Sequence, residues 1–216
     1  MRPLVLYGAG GLGREVALLV RAANAQSPTW DLLGFVDDGA ENGAVGCDLL
    51  GGFDALAQLA GERVDLAVAI TIGNINTLEL LSIRISETLP GVEAVDLVHP
   101  DASVHADAIE SGRGNIIAAG ARLANVTLGS FNVINMNTVL GHDVNLGDFN
   151  LIHPGAVLNG EVEVGSRVTI GAGSVIIPRV SIGDGATIAI GAVVGRPVKA
   201  GEIVAGNPAR VVGRAR

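Results

Sequence analysis

Two rhythms of apolar and polar residues divide the 216-residue chain. Up to about residue 97, short apolar runs alternate with segments whose apolar residues fall at helical spacing. Leu4-Val5-Leu6-Tyr7 predicts a strand, Gly8 to Gly13 a turn, and Arg14 to Ala23 a helix with Val16, Leu19 and Val20 on one face. Leu32 to Val36 predicts a second strand ending at Asp37-Asp38-Gly39, and Leu66 to Ile70 a third. Further helices are predicted over Phe53 to Ala60 and over Asn76 to Thr88, the latter stopped by Pro90-Gly91. Such alternation predicts a small parallel sheet with helices on its faces.

From Val98 the rhythm has a period of six. Stepping by six from Val98 to Val194 meets 17 positions, of which 15 are aliphatic, with Glu110 and Arg122 as the exceptions. The frame runs without a slip on this reading, and the two exceptions mark imperfect, partly exposed coils at one end. The residue four places after each frame position is small or short. Glycine follows the aliphatic residue in seven hexads, Gly129, Gly141 and Gly171 among them, where a tight turn is expected. An α-helix cannot sustain a period of six. Short strands and turns with one aliphatic side chain inward per hexad make a triangular prism, three hexads to an 18-residue coil. Five to six coils are expected, each rising about 4.8 Å. The expected division is an α/β domain over 1–97 and a β-helix with its C-terminal tail over 98–216.

Composition sharpens this picture. Apolar residues make up 49% and aromatic residues 3%, with 31 glycines, so the core is built from Val, Ile, Leu and Ala in thin layers. A net charge of −8 supplies no basic footprint, so neither nucleic acid nor a membrane surface is an expected partner. The single cysteine, Cys47, fits a reducing compartment. The N-terminus reads as a strand rather than a signal peptide, and no run approaches the ~20 apolar residues of a membrane span. A cytoplasmic location is expected.

Gly8, Gly10 and Gly13 form a G-x-G-x-x-G between a predicted strand and helix, with Asp37 one strand further on. Glycines there let the backbone approach a phosphate at a helix N-terminus. The same residues also suit a plain turn, or an NAD site with Asp37 on the ribose. The α/β part is only one mononucleotide-binding half, which fits a nucleotide-linked sugar better than a dinucleotide.

The hexad frame separates the four histidines. His99, His105 and His153 directly follow a frame position, whereas His142 stands two places after one. His99 and His153 are three coils apart, about 14 Å at the sheet spacing. That is too far to share a metal at ~2 Å from each ring, and no metal is expected. His142 precedes Asp143, and one 18-residue coil further on lies Gly160. A histidine beside a carboxylate can serve as a general base, and the Gly160 N–H can meet an oxyanion. A surface histidine beside a turn glycine describes the same residues equally well.

Five segments carry a resemblance over nearly the whole chain: Gly8-Ala9-Gly10-Gly11-Leu12-Gly13, Gly34-Phe35-Val36-Asp37-Asp38, Gly141-His142-Asp143, Leu158-Asn159-Gly160 and Gly206-Asn207-Pro208-Ala209-Arg210. Together they resemble the nucleotide-amino-sugar acetyltransferases of the hexapeptide-repeat class, related to the bacillosamine-pathway N-acetyltransferases and the sialic acid O-acetyltransferases. Among these the chain is particularly similar to the enzymes acting on GDP-perosamine. The resemblance implies a left-handed β-helix, a homotrimer, and acetyl-CoA in the groove between neighbouring prisms. It implies N-acetylation of a nucleotide-linked 4-amino-sugar; O-acetylation of a sialic-acid-type sugar and a UDP-linked substrate are the alternatives. By match, His142 is the base, Asp143 its acidic neighbour, and Gly160 the donor facing the thioester oxygen. Asn135 lies near the sugar, and Gly10, Gly11, Gly13, Asp37 and Asp38 hold the nucleotide. Asn207, Pro208 and Arg210 join Gly160 around CoA. Leu151 departs from the histidine many relatives carry there, and His153 stands where they often have serine, so CoA contacts at that place stay open. The repeat fold also carries zinc carbonic anhydrases, but here only His142 and His153 could converge, across a subunit interface.

Overall fold

The computed structural model describes residues 1–104 and 109–215, so His105 lies outside the described residues. The chain divides into two compact units, Met1–Pro100 and Asp101–Arg216. The fold class expected from the two rhythms is the one observed: an α/β unit followed by a parallel β-helix. Among the described residues no helix is long and apolar enough to cross a membrane.

The first unit is a five-stranded parallel sheet, β3-β2-β1-β4-β5, with three helices. Its strands are β1 (Arg2–Tyr7), β2 (Trp30–Val36), β3 (Leu49–Gly51), β4 (Ala67–Ile70) and β5 (Glu93–Ala94). The helices are α1 (Gly11–Gln26), α2 (Phe53–Glu62) and α3 (Ile75–Thr88). β1 and β4 are buried on both faces, as strands of a covered parallel sheet must be. The sequence reading lacked β3 and β5, which are too short to show a period, and it started α1 three residues late. Helix α1 begins inside the glycine run, where no side-chain pattern announces it.

The second unit is a prism with three parallel sheets along its length. One runs from Ser103–Val104 to Val193–Val194, and the next from Ile109–Ser111 to Ser181–Ile182. The third runs from Ile116–Ile117 to Glu202–Ala205 and closes on the antiparallel strand Arg210–Arg214. Inside, the frame residues Leu128, Ile134, Leu140, Ile152, Leu158 and Ile170 are buried in one continuous core. An asparagine ladder shares that interior. The Asn132 amide donates to Asn115 Oδ1, the Asn150 backbone N–H to Asn132 Oδ1, and the Val168 N–H to Asn150 Oδ1. Each buried polar side chain of the ladder therefore couples one coil to the next.

Two expectations are corrected. The six-residue frame does slip. Leu123 pairs with Leu140 and Ile117 with Ile134, spacings of 17, whereas Leu140 pairs with Leu158 at 18. One residue is missing between Leu123 and Leu128, so Ile117 and Leu123 point inward before it. Arg122 is exposed because the inward position is Leu123, one residue beyond it, whereas Glu110 lies in an irregular first coil whose corresponding inward position, Ser111, is itself exposed. The second correction concerns the glycines after the frame residue. They do not adopt left-handed backbone; that conformation falls two residues later, at Asn125, Phe131, Asn137, Asp143, Phe149 and their successors. A Cβ at Gly129 would come within 2.6 Å of the Gly147 carbonyl carbon, and one at Gly171 within 2.5 Å of the Ile190 nitrogen. These glycines admit the backbone of the next coil.

Candidate active site

The prism's corners repeat every coil, and one corner gathers the polar side chains singled out by the repeat. Asn125, Asp143, Glu161 and Arg179 stack there, each with φ between 53° and 63°. The Asp143 N–H donates to the Asn125 carbonyl, and the Glu161 N–H to the His142 carbonyl, both at 2.9 Å. His142 precedes Asp143, with its Nδ1 2.9 Å from Asp143 Oδ2. The other carboxylate oxygen, Oδ1, accepts from the Asn125 side-chain amide. These two hydrogen bonds, the one to His142 first, hold the Asp143 carboxyl below its ordinary range. An ionised carboxylate can only accept, so this contact favours the imidazole tautomer with its proton on Nδ1 and its lone pair on Nε2. Side-chain exposures of 66% for His142 and 54% for Asp143 leave both open to a ligand.

Gly160 lies one coil above. A Cβ there would fall 2.5 Å from Cε1 of His142, so the imidazole rests on the bare face of this glycine. Among the described residues no backbone carbonyl accepts the Gly160 N–H. An imidazole and an unengaged N–H donor thus sit in adjacent coils, an arrangement that suits attack on a carbonyl. One coil higher again, Arg179 grips Glu161 through Nε and Nη2 at 3.1–3.2 Å, and this bond holds the Glu161 carboxyl low. The sequence reading missed Asn125, Glu161 and Arg179. Steps of 18 from Asp143 reach all three.

In the first unit the glycine loop joins β1 to α1 beside β4, where the strand order reverses, the place at which open α/β sheets receive ligands. Gly8 has φ +120°, and a Cβ on it would meet the Thr71 carbonyl at 2.7 Å. A Cβ on Gly13 would strike the Gly8 carbonyl, whereas those on Gly10 and Gly11 would meet open space at the exposed start of α1. Thr71 Oγ1 donates to the Gly8 carbonyl at 2.8 Å and pins the loop from below. Asp37 and Asp38 are engaged by the chain itself. Asp37 accepts from the Ala9, Gly39 and Ala40 amides. Asp38 accepts from the Tyr7 hydroxyl at 2.6 Å and the Phe53 N–H at 2.9 Å, which together lower its pKa. Burial first, and then this bond, raises the Tyr7 pKa.

Asn135 and His153 are not brought to His142 within one prism. They precede the adjacent corner, formed by Met136-Asn137 and Pro154-Gly155 in successive coils. Between the two corners runs the face whose outward residues are Val139, Val157, Val175 and Val193, all half-buried. Asn207 and Pro208 form the exposed tip of the terminal hairpin, followed by the exposed Arg210. Ala209 N–H donates to the Val193 carbonyl and anchors this tip on the last coil. Among the described residues no group of three or more His, Cys, Asp or Glu side chains could hold a metal.

Residues 3–83 match the family model of the PglD N-terminal domain. A search of curated proteins finds no match. The acetyltransferase domain of PglB from Neisseria gonorrhoeae, solved with acetyl coenzyme A, is 30% identical over 98% of this chain and 99% of its own, with a TM-score of 0.90. This chain belongs to the hexapeptide-repeat N-acetyltransferases of nucleotide-linked amino-sugars. Perosamine N-acetyltransferase from Caulobacter crescentus, solved as a variant with CoA and GDP-perosamine, is 27% identical, with coverage of 99% and 98% and a TM-score of 0.91. WeeI from Acinetobacter baumannii is also 27% identical, with coverage of 98% and 100% and a TM-score of 0.82. Both units of this N-acetyltransferase are therefore shared with these proteins.

Proposed function

We propose that this N-acetyltransferase moves the acetyl group of acetyl-CoA to the amine of a nucleotide-linked 4-amino-sugar, GDP-perosamine or a close analogue. The observation that carries the reading is the His142 imidazole, tied to Asp143 through Nδ1 and lying on the bare face of Gly160. The amine attacks the thioester carbonyl while His142 Nε2 takes its proton. The Gly160 N–H stabilises the tetrahedral oxyanion. Collapse of that intermediate breaks the carbon–sulfur bond, and the CoA thiolate leaves to take up a proton. Asp143 supports the imidazolium that forms in between. The exposed Gly10 and Gly11 amides at the start of α1 take the nucleotide's phosphates. Gly13 and the engaged carboxylates of Asp37 and Asp38 hold that loop open. Asn207, Pro208 and Arg210 border the far end of CoA.

The working form is a homotrimer. The valine face and the ridge Met136, Pro154, Ala172 and Ile190, the last 80% exposed, form an apolar surface suited to a second copy. Packing there in a closed three-fold ring would carry a neighbour's Asn135 and His153 edge toward His142.

The test is turnover of acetyl-CoA with GDP-perosamine by the parent and by His142→Ala. Loss of roughly 10²–10⁴-fold in kcat with the fold intact is expected. Turnover near that of the parent would remove His142 from its role. Thermal stabilisation by NADH and none by acetyl-CoA would overturn the whole reading.

A further inference from the structure

The acid beside the base is itself held, and the group that holds it is electrically neutral. Asp143 stands at a solvent-exposed corner, where a carboxylate on its own samples several rotamers and keeps no fixed aim at a neighbouring ring. Here one oxygen meets His142 Nδ1 while the other is taken by the Asn125 amide from the coil below. The Asn125 carbonyl accepts the Asp143 N–H as well, so backbone and side chain are both gripped by one residue. Asn125 has φ 53°, a conformation asparagine adopts at little cost, so its side chain is set in place without strain.

We propose that Asn125 is a positioning residue for acetyl transfer: its amide aims the Asp143 carboxylate at Nδ1 and so keeps the Nε2 lone pair of His142 facing the substrate. This rests on His142 being the base. A neutral donor is suited to the task. A lysine or arginine in its place would orient the carboxylate but cancel the charge that supports the imidazolium. The charged groups facing this trio come from the coils above. Glu161 adds negative charge near His142 and Asp143, and Arg179 holds it in a two-pronged pair. Asn125 thereby governs the carboxylate that touches the ring, and Arg179 the one that does not.

The experiment measures kcat, KM and the pH profile of kcat/KM for Asn125→Asp, Asn125→Gly, Asp143→Asn and the exchanged pair N125D/D143N, beside His142→Ala, with acetyl-CoA and GDP-perosamine. Aspartate and glycine both tolerate the left-handed backbone, so melting temperatures should stay close to the parent's. Each Asn125 variant should lose about ten-fold in kcat/KM, mostly in kcat, the scale of one hydrogen bond to a charged group. Asn125→Asp should also move the acid limb of the profile to higher pH, since a second carboxylate favours the imidazolium. The exchanged pair should lose less than the product of the two single losses, because it restores a donor and an acceptor across the two coils. Asn125 variants within two-fold of the parent, with an unmoved acid limb and an inactive His142→Ala, would overturn this inference and leave the base in place. Losses that only track a fall in melting temperature would overturn it too. An active His142→Ala would overturn both readings together.

Discussion

At the scale of single residues, Gly160 meets a steric demand that composition does not reveal. Its backbone is not left-handed, so alanine suits the main chain, but the new methyl would land on the His142 ring. The ring is mostly exposed and can swing outward, so the expected cost falls on function and not on stability. Gly160→Ala should lower kcat by at least about ten-fold, since a small misplacement of the proposed base is expensive. Its melting temperature should stay within a few degrees of the parent's; an unchanged kcat would show that the ring's seat on Gly160 is irrelevant. His142, Asp143 and Gly160 were legible in sequence because a strict period makes any stacked pair a matter of adding 18. Asn125 was equally reachable. It stands one coil below the acid, 18 residues before Asp143. The engagement of Asp37 by three backbone amides was not legible, since a G-x-G-x-x-G gives the same letters whether the acid meets a ribose or its own loop.

Among the elements, the one-residue slip between Leu123 and Leu128 shows what a period can and cannot say. Both frames place aliphatic residues at most positions, because Ile116 and Ile117 are adjacent and either could point inward. The exceptions Glu110 and Arg122 carry the information, and read alone they look like imperfect, partly exposed coils. The pairing of Leu123 with Leu140 decides it. Leu123→Arg should therefore cost more than about 4 kcal/mol, because a charge enters a dry prism with no partner. Arg122→Leu, one residue away on the exposed side, should stay within about 0.5 kcal/mol. Denaturant unfolding of the two variants checks both, and equal costs would restore the unslipped frame. In the α/β unit the long strands and helices were legible, whereas the short β3 and β5 and the start of α1 were not. They are set by pairing and by the glycine loop, which leave no repeat in the side chains.

For the whole molecule, the three outward faces of the prism differ in a way that the sequence records in the residue before each frame position. One face shows Val139, Val157, Val175 and Val193, while the next shows Thr127, Asn145, Glu163 and Ser181. Of these two, the first suits contact with another protein surface. Val157→Glu together with Val175→Glu should convert the proposed trimer to monomers in sedimentation experiments. The folded monomer should lose acetyl transfer by more than ten-fold, since proximity supplies much of such a rate. A fully active monomer would show that the site is complete within one chain.

The terminal hairpin bears on what the prism does not become. A stack of parallel coils presents, at its last coil, an edge that any further coil of like sequence could join. On one of the three sheets, Arg210–Arg214 covers that edge in the opposite direction, with a bulge between Ile203 and Val204 and an arginine at each end of the strand. A reversed, kinked and cationic strand cannot template another parallel layer. The same hairpin whose tip borders the proposed CoA end therefore also closes that sheet against a further parallel coil.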